Sequence, residues 1–191
     1  MSEGTSIREQ ILTAAVEAAT VHGITKLSMG DVARQAKLSR QTLYRHFPNK
    51  DALIAEVVLA ETDALIATVV AAGQDHQDPR DALAAGLLAA LRAAREHPLL
   101  DRLIRTEPEA LLPLLTTDGG PVMARVRSVV EAILAEGMGG LEPLPLRRFA
   151  DVVTRLLISY AVSAPDDPPE EVAAYVATFL THGAISQTPQ R

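Results

Sequence analysis

Residues 27–57 read LSMGDVARQAKLSRQTLYRHFPNKDALIAEV, and the fold turns on this stretch. Ser28 followed three residues later by Asp31 is a helix-start signature, and Leu27 and Val32 occupy the two positions of a hydrophobic staple. Ser39 opens another helix with the same device, Leu38 against Leu43. The pattern predicts two short helices, about 29–36 and 40–47, joined by a turn at Lys37 and Leu38. Asn49 can cap a following helix, with Asp51 in its first turn, where the helix dipole favours an acid.

The second short helix is two-sided. Leu38, Leu43 and Phe47 can pack inward, with Val32 and Ala33 facing them. The opposite side carries Gln41 and Arg45, flanked by Thr42 and Tyr44, with Arg40 at the N-terminal end. Each type suits a duplex. An arginine forks onto guanine O6 and N7, and a glutamine pairs with adenine edges. The Thr42 and Tyr44 hydroxyls and His46 suit phosphate oxygens, and Lys50 adds a cation at a helix N-terminus, a natural anion site. Ser28 and Ser39, at the two helix starts, complete this set. A solvated polar face on an ordinary packed helix is the alternative. Two stapled helices, a tight turn and one cationic end outweigh it.

The charge distribution points the same way. The chain has 191 residues and a formal charge of −6. Residues 1–50 hold seven Lys and Arg against four acids, including all three lysines, Lys26, Lys37 and Lys50. The remainder holds eleven of the eighteen cations and twenty of the twenty-four acids. A basic head on an acidic body implies a polyanion partner for the head alone.

With these residues in place, the segment resembles the DNA-binding region of the TetR family of bacterial transcriptional regulators. Its usual pattern is roughly A-x-x-A-G-V-S-x-x-T-L-Y-x-H-F-x-x-K-x-x-L. Ala33, Ala36, Ser39, Thr42, Leu43, Tyr44, His46, Phe47, Lys50 and Leu53 match it, and with the leading helix the resemblance covers about residues 5–60. The chain departs at Lys37, where the family usually has glycine, and conservatively at Leu38. If the turn requires φ > 0, Lys37 carries strain there, while its charge gains reach to a phosphate.

Elsewhere the periodicity is helical almost throughout. Ser6-x-x-Glu9 is a capping box ahead of Ile7, Ile11, Ala14, Ala15, Ala18 and Val21, up to Gly23. The helix after Asn49 should run to about Ala72. Another opens at Asp78 and Pro79 and ends before Pro98. Residues 98–117, broken by Pro108 and Pro113, should form short helical pieces. A helix from Pro121 to about Glu136 precedes a Gly/Pro loop, 137–145. Two last helices, about 146–163 and 169–184, are separated by APDDPP. The expectation is an all-α fold of about nine helices: a helix-turn-helix DNA-binding domain, 1–50, then an effector-binding and dimerisation bundle, 51–191.

The resemblance implies a homodimer in which the last two helices pair with their twofold mates. Phe149, Val153, Leu156, Leu157 and Tyr160 on one helix, and Val172, Val176, Phe179 and Leu180 on the other, form the candidate interface. A monomer burying both stripes internally is the alternative. The family also implies a small-molecule pocket in the bundle. Its walls should be apolar, with His97, Arg102, Arg105, Thr106 and Tyr160 as polar candidates for holding one end of an apolar effector. Twofold symmetry then predicts a near-palindromic operator in double-stranded DNA.

Other classes fare poorly. The absence of cysteine removes disulfides, thiolate metal sites and cysteine nucleophiles. There is no HExxH, Gly-rich phosphate loop or convincing Ser/His/Asp set, so no enzyme, metal or cofactor is expected. The Asp75-His76-Gln77-Asp78 run reads as a solvated loop. The polar start MSEGTSIREQ and the lack of any apolar run near about 18 residues give the expectation of a soluble cytoplasmic protein with no membrane partner. The rival function is a helical carrier of lipophilic molecules without a DNA site.

Overall fold

The computed structural model describes residues 6–116, 119–137, 143–163 and 166–185. Among these residues the fold is all-α. The helices are α1 (Ile7–His22), α2 (Met29–Gln35), α3 (Arg40–His46), α4 (Lys50–Gln74), α5 (Pro79–Glu96), α6 (Pro98–Thr106), α7 (Pro108–Leu115), α8 (Gly120–Gly137), α9 (Pro143–Val162) and α10 (Pro169–Ile185). No helix among the described residues is long and apolar enough to cross a membrane.

Ten helices rather than about nine follow from residues 98–117, which resolve into two helices of their own. His97 caps α6, and Pro108 opens α7. The expected loop 137–145 is shorter than the sequence suggests. Pro143 begins α9, because a proline at the first helical position gives up no needed N–H and already has a helical φ. Residues 138–142 lie outside the described residues, as do Ala164 and Pro165 of the APDDPP break.

The chain divides into two compact units, Met1–Glu61 with His97–Gly119, and Thr62–Glu96 with Gly120–Arg191. In the first, α1 packs on α2 and α6, and α2 packs on α3. Its interior includes Ile11, Val32, Leu43, Phe47, Leu53 and Val57, all nearly inaccessible. The alanines of α1 (Ala14, Ala15, Ala18 and Ala19) form one buried face at helical spacing. The Arg8 guanidinium lies 4.9 Å over the Phe47 ring and bonds Glu56 at 2.9 Å.

In the second unit, α10 packs along α5, and α9 packs on α8 and α5. Leu87 and Leu91 meet Val153, Val172, Ala173, Val176, Ala177 and Leu180 in one cluster. The small side chains of Ala173 and Ala177 leave room for the large ones of α5. Arg92 and Glu170 clip α5 to α10, and the Arg125 guanidinium grips Asp63 with two bonds, 2.6 and 3.0 Å.

Val153, Val172, Val176 and Leu180 are buried inside the unit's own core, Val153 at 1% exposure. Phe149, Leu156, Leu157 and Tyr160 pack half-buried against the same core. All eight pack against the unit's own core. A helix apolar on more than one side does not say which side faces inward. Phe179 alone of the nine points out, 66% exposed, one step beyond the edge of the buried stripe. Tyr175 of α10 (72%) and Val152 of α9 (49%) are exposed as well.

Candidate nucleic-acid interface

The turn between α2 and α3 is a C-terminal Schellman motif. The Leu38 N–H donates to the Ala33 carbonyl at 2.9 Å, and the Lys37 N–H donates to that of Arg34 at 3.1 Å. Lys37 takes the left-handed position this motif needs, φ 54°, and is the one non-glycine residue with positive φ among the described residues. A lysine there carries about 1–2 kcal/mol of strain that a glycine would avoid. The Gln10 side chain adds a bond to the Ala36 carbonyl at 2.8 Å, tying the end of α2 to α1.

The starts of the two short helices are closed by the expected serines. Ser28 Oγ accepts from the Asp31 N–H at 3.2 Å and donates to its carboxylate at 2.5 Å. That bond, with Arg34 beside it, holds the Asp31 carboxyl below the usual carboxylate range. Ser39 Oγ accepts from the Thr42 N–H at 3.0 Å and pairs with the Thr42 hydroxyl at 2.9 Å. Both serines and Thr42 are thereby engaged in building the helix ends.

Leu43 and Phe47 anchor α3 from below, and its opposite face is open. Arg40, Gln41, Tyr44 and Arg45 are exposed, Tyr44 at 50%, and His46 is half-buried at the helix end. Arg40, Gln41 and Arg45 make no hydrogen bond or ion pair with another described residue. The Arg40 guanidinium rests against Gly30, where a Cβ would come within 2.9 Å of it. Lys50 is half-buried and already committed in part, its Nζ donating to the Thr25 carbonyl at 2.9 Å. Two of its three N–H bonds remain for a phosphate.

One residue that sequence reasoning missed completes the platform. Glu107, between α6 and α7, accepts from the Ile24 N–H at 2.7 Å and the Thr25 N–H at 3.3 Å. Gly23 ends α1 with φ 86°, and a Cβ there would collide with the Glu107 carboxylate. The α1–α2 turn is thus held by Glu107 through its amides and by Lys50 through a carbonyl. No local signal marks Glu107, because its partners lie more than eighty positions earlier.

The polar residues expected at the effector site are dispersed. His97 caps α6 by accepting the Leu100 N–H on Nδ1 at 3.2 Å, which leaves the proton on Nε2 to donate to Glu61 at 2.7 Å. Arg105 bonds Asp101 at 2.5 Å, a pairing that raises the guanidinium pKa, and the Thr106 hydroxyl donates to the Arg102 carbonyl at 2.8 Å. Arg102 keeps its Nε buried without a partner among the described residues. These four belong to the first unit, and Tyr160 packs on the core of the second.

None of the five lines the second unit's two apolar recesses. The larger, about 340 Å³, is lined by Val69, Val70, Gly73 and Gln74 of α4, Ala82–Leu87 in part, Val130–Leu134 in part, Val153, Leu157 and Thr181. The smaller, about 80 Å³, continues along α4, α8 and α9. No group of three or more residues able to hold a metal occurs among the described residues.

A serine-capped helix-turn-helix with an open, cationic second helix defines a DNA-binding transcriptional regulator. Residues 11–57 match the family described as bacterial regulatory proteins, tetR family, and residues 78–182 match the bacterial tetracyclin repressor, C-terminal domain. The chain belongs to the TetR family, whose members are regulators and not enzymes. It is similar to the HTH-type transcriptional regulator AlkX of Mycobacterium tuberculosis, 26% identical over 188 residues, covering 94% of this chain and 88% of that protein. The probable acrEF/envCD operon repressor of Escherichia coli is 30% identical over 104 residues, 52% of this chain and 47% of its own length. The crystal structure of the TetR family repressor AlkX from Dietzia, implicated in biodegradation of n-alkanes, matches with a TM-score of 0.77 and 27% identity, over 95% of this chain and 96% of that one.

Proposed function

We propose that this regulator is a homodimeric repressor that binds a near-palindromic operator and is released by a small apolar effector. The open α3 face carries the DNA-binding half of this reading. Four exposed side chains with hydrogen-bonding ends stand on one short helix, locked from beneath by Leu43 and Phe47. Arg40 and Gln41 read bases, while Tyr44, Arg45, His46, Lys37 and the free N–H bonds of Lys50 hold phosphates.

The exposed Val152, Tyr175 and Phe179 support dimerisation through α9 and α10, since three large apolar groups on neighbouring helices favour burial by a second copy. Release is a population shift. The recesses line the second half of α4, and the same helix begins at Lys50, directly after the reading helix. A ligand that favours one setting of α4 changes the separation of the two heads. That separation must fit about 34–36 Å, one groove repeat, or a multiple of it. The coupling required is about 1–3 kcal/mol. The Dietzia relative's link to n-alkane breakdown supports an aliphatic effector.

A gel-shift assay on DNA flanking its own gene tests the reading. A sequence-selective complex is expected, with a log–log salt slope near −5 if the dimer neutralises about six phosphates. Arg40→Ala or Gln41→Ala should relax base preference by about 1–3 kcal/mol. A lipophilic carrier would give no selective complex. Phe179→Asp should leave the fold intact and yield monomers; dimers surviving it would place the interface elsewhere.

A further inference from the structure

The two recesses adjoin in one seam along α4, α8 and α9. They share Val69, Val70, Val130, Ile133 and Leu157 as walls. The smaller recess touches α4 from Thr62 to Val70, and the larger continues from Val69 to Gln74. On α8 the lining residues advance in the same order, and on α9 they run in reverse, as an antiparallel neighbour requires. Thr62 and Gln74 are twelve positions apart, so the seam is about 18 Å long at the helical rise.

Its chemistry is uniform. None of the described lining residues carries a charge, and none of the chain's six aromatic residues lines it. The walls are aliphatic, and hydrogen-bonding side chains occur only at Thr62, Gln74 and Thr181. The Thr181 hydroxyl already donates to the Ala177 carbonyl at 2.8 Å. Gln74 ends α4 at the rim, and its amide makes no bond with another described residue.

We infer that the seam takes a neutral, unbranched aliphatic molecule, its one small polar end group placed at Gln74. The inference rests on the effector reading above and names the class of ligand. Length fits the shape. An extended chain advances about 1.2 Å per bond, a third of the rise of an extended residue. The seam therefore accommodates about fifteen carbons. Charge sets the head group. No described lining residue offers a counter-charge to a carboxylate or ammonium end, whereas a hydroxyl is matched by the Gln74 amide. Planar aromatic ligands would find no stacking partner among the described lining residues.

The test compares dodecan-1-ol, dodecanoate and dodecyltrimethylammonium at pH 8, below their micellar concentrations. Thermal shift of the full chain and release of a labelled operator are both read. Dodecan-1-ol should bind and release operator at concentrations at least tenfold lower than either ion. Gln74→Arg, at an exposed position, should improve dodecanoate at least tenfold while leaving dodecan-1-ol within a few fold. Val130→Phe, and Ile133→Phe at the more exposed wall, should weaken every chain. Dodecanoate equal to or better than dodecan-1-ol on the unaltered protein would overturn the neutral-ligand inference while leaving the recess reading intact. Dodecan-1-ol binding undiminished by both phenylalanines would place the effector outside the recess. Failure of all three compounds would overturn both.

Discussion

In the first unit, α1, α2, α3, α4 and α6 each begin on a side chain that closes the helix end: Ser6, Ser28, Ser39, Asn49 and His97. In the second, Asp78 closes the start of α5, but α8, α9 and α10 begin on or beside a proline, as α7 of the first does, and what holds them is aliphatic packing with ion pairs outside. The first unit is therefore specified by short-range polar geometry that fixes where each helix starts and turns. The second is specified by which of several similar apolar stripes meets which. On the proposed function, base reading by an arginine needs the former, since a displacement of about an ångström loses a hydrogen bond, and the proposed recess for a flexible ligand tolerates the latter.

The largest expected effect breaks the second unit's packing. Val176→Asp puts an unpaired charge into the core and should cost more than about 4 kcal/mol, whereas Phe179→Asp three positions on should cost the monomer almost nothing. Denaturant unfolding of the two variants checks this. Equal losses would mean that both positions sit in one interface.

Next comes the tether of the first unit. Glu107→Ala removes a charged acceptor from two backbone amides and should cost about 1.5–3 kcal/mol. Hydrogen exchange at Ile24 and Thr25 should rise well above that of α1, and operator affinity should fall. Exchange unchanged at those amides would assign their protection to packing alone.

Lys37→Gly sharpens the comparison in the other direction. Relief of the left-handed strain should stabilise the head by up to about 1 kcal/mol. On the proposed DNA reading, the loss of charge should lower the salt slope by about one per head. A Lys37→Gly protein that melts earlier would show that the lysine stem contributes packing instead.

The smallest effect is acid sensitivity. Bonds from Ser28 to Asp31, from Arg155 to Asp151 and from Arg92 to Glu170 hold these carboxyls below their ordinary range. A depressed carboxylate pKa adds stability that is present at neutral pH and is lost as pH falls below about 4 and through the folded value. Glu170 is exposed and Asp31 and Asp151 are half-buried at the surface, so each should add little. Glu170→Gln should leave the melting temperature at pH 7 nearly unchanged and make its decline between pH 5 and 3 shallower.

How much was legible follows from the range of each interaction. The staples, serine caps and Lys37 turn involve residues three to five positions apart, so the spacing in LSMGDVARQAKLSRQTLYRHF displays them directly. Arg40, Gln41, Tyr44 and Arg45 emerge on the open face because Leu43 and Phe47 can only go inward. The Glu107 hook, the Lys50 bond to Thr25 and the Gly30 clearance for Arg40 join residues distant in sequence and leave no periodic trace. His97, Arg102, Arg105 and Thr106 drew attention as polar groups in an apolar stretch, yet the apolar seam is built from residues that look like any other core.

The sequence by itself determined that the chain is helical, where its helices begin, and that a short cationic helix stands ready for a polyanion. Those features are set by bonds between near neighbours. Only the tertiary structure decided that Val153, Val172, Val176 and Leu180 turn inward while Tyr175 and Phe179 turn out, and that α4, α8 and α9 leave a seam between them. Burial depends on the summed shape of distant helices, and valine, leucine and alanine carry no mark of which neighbour they will meet.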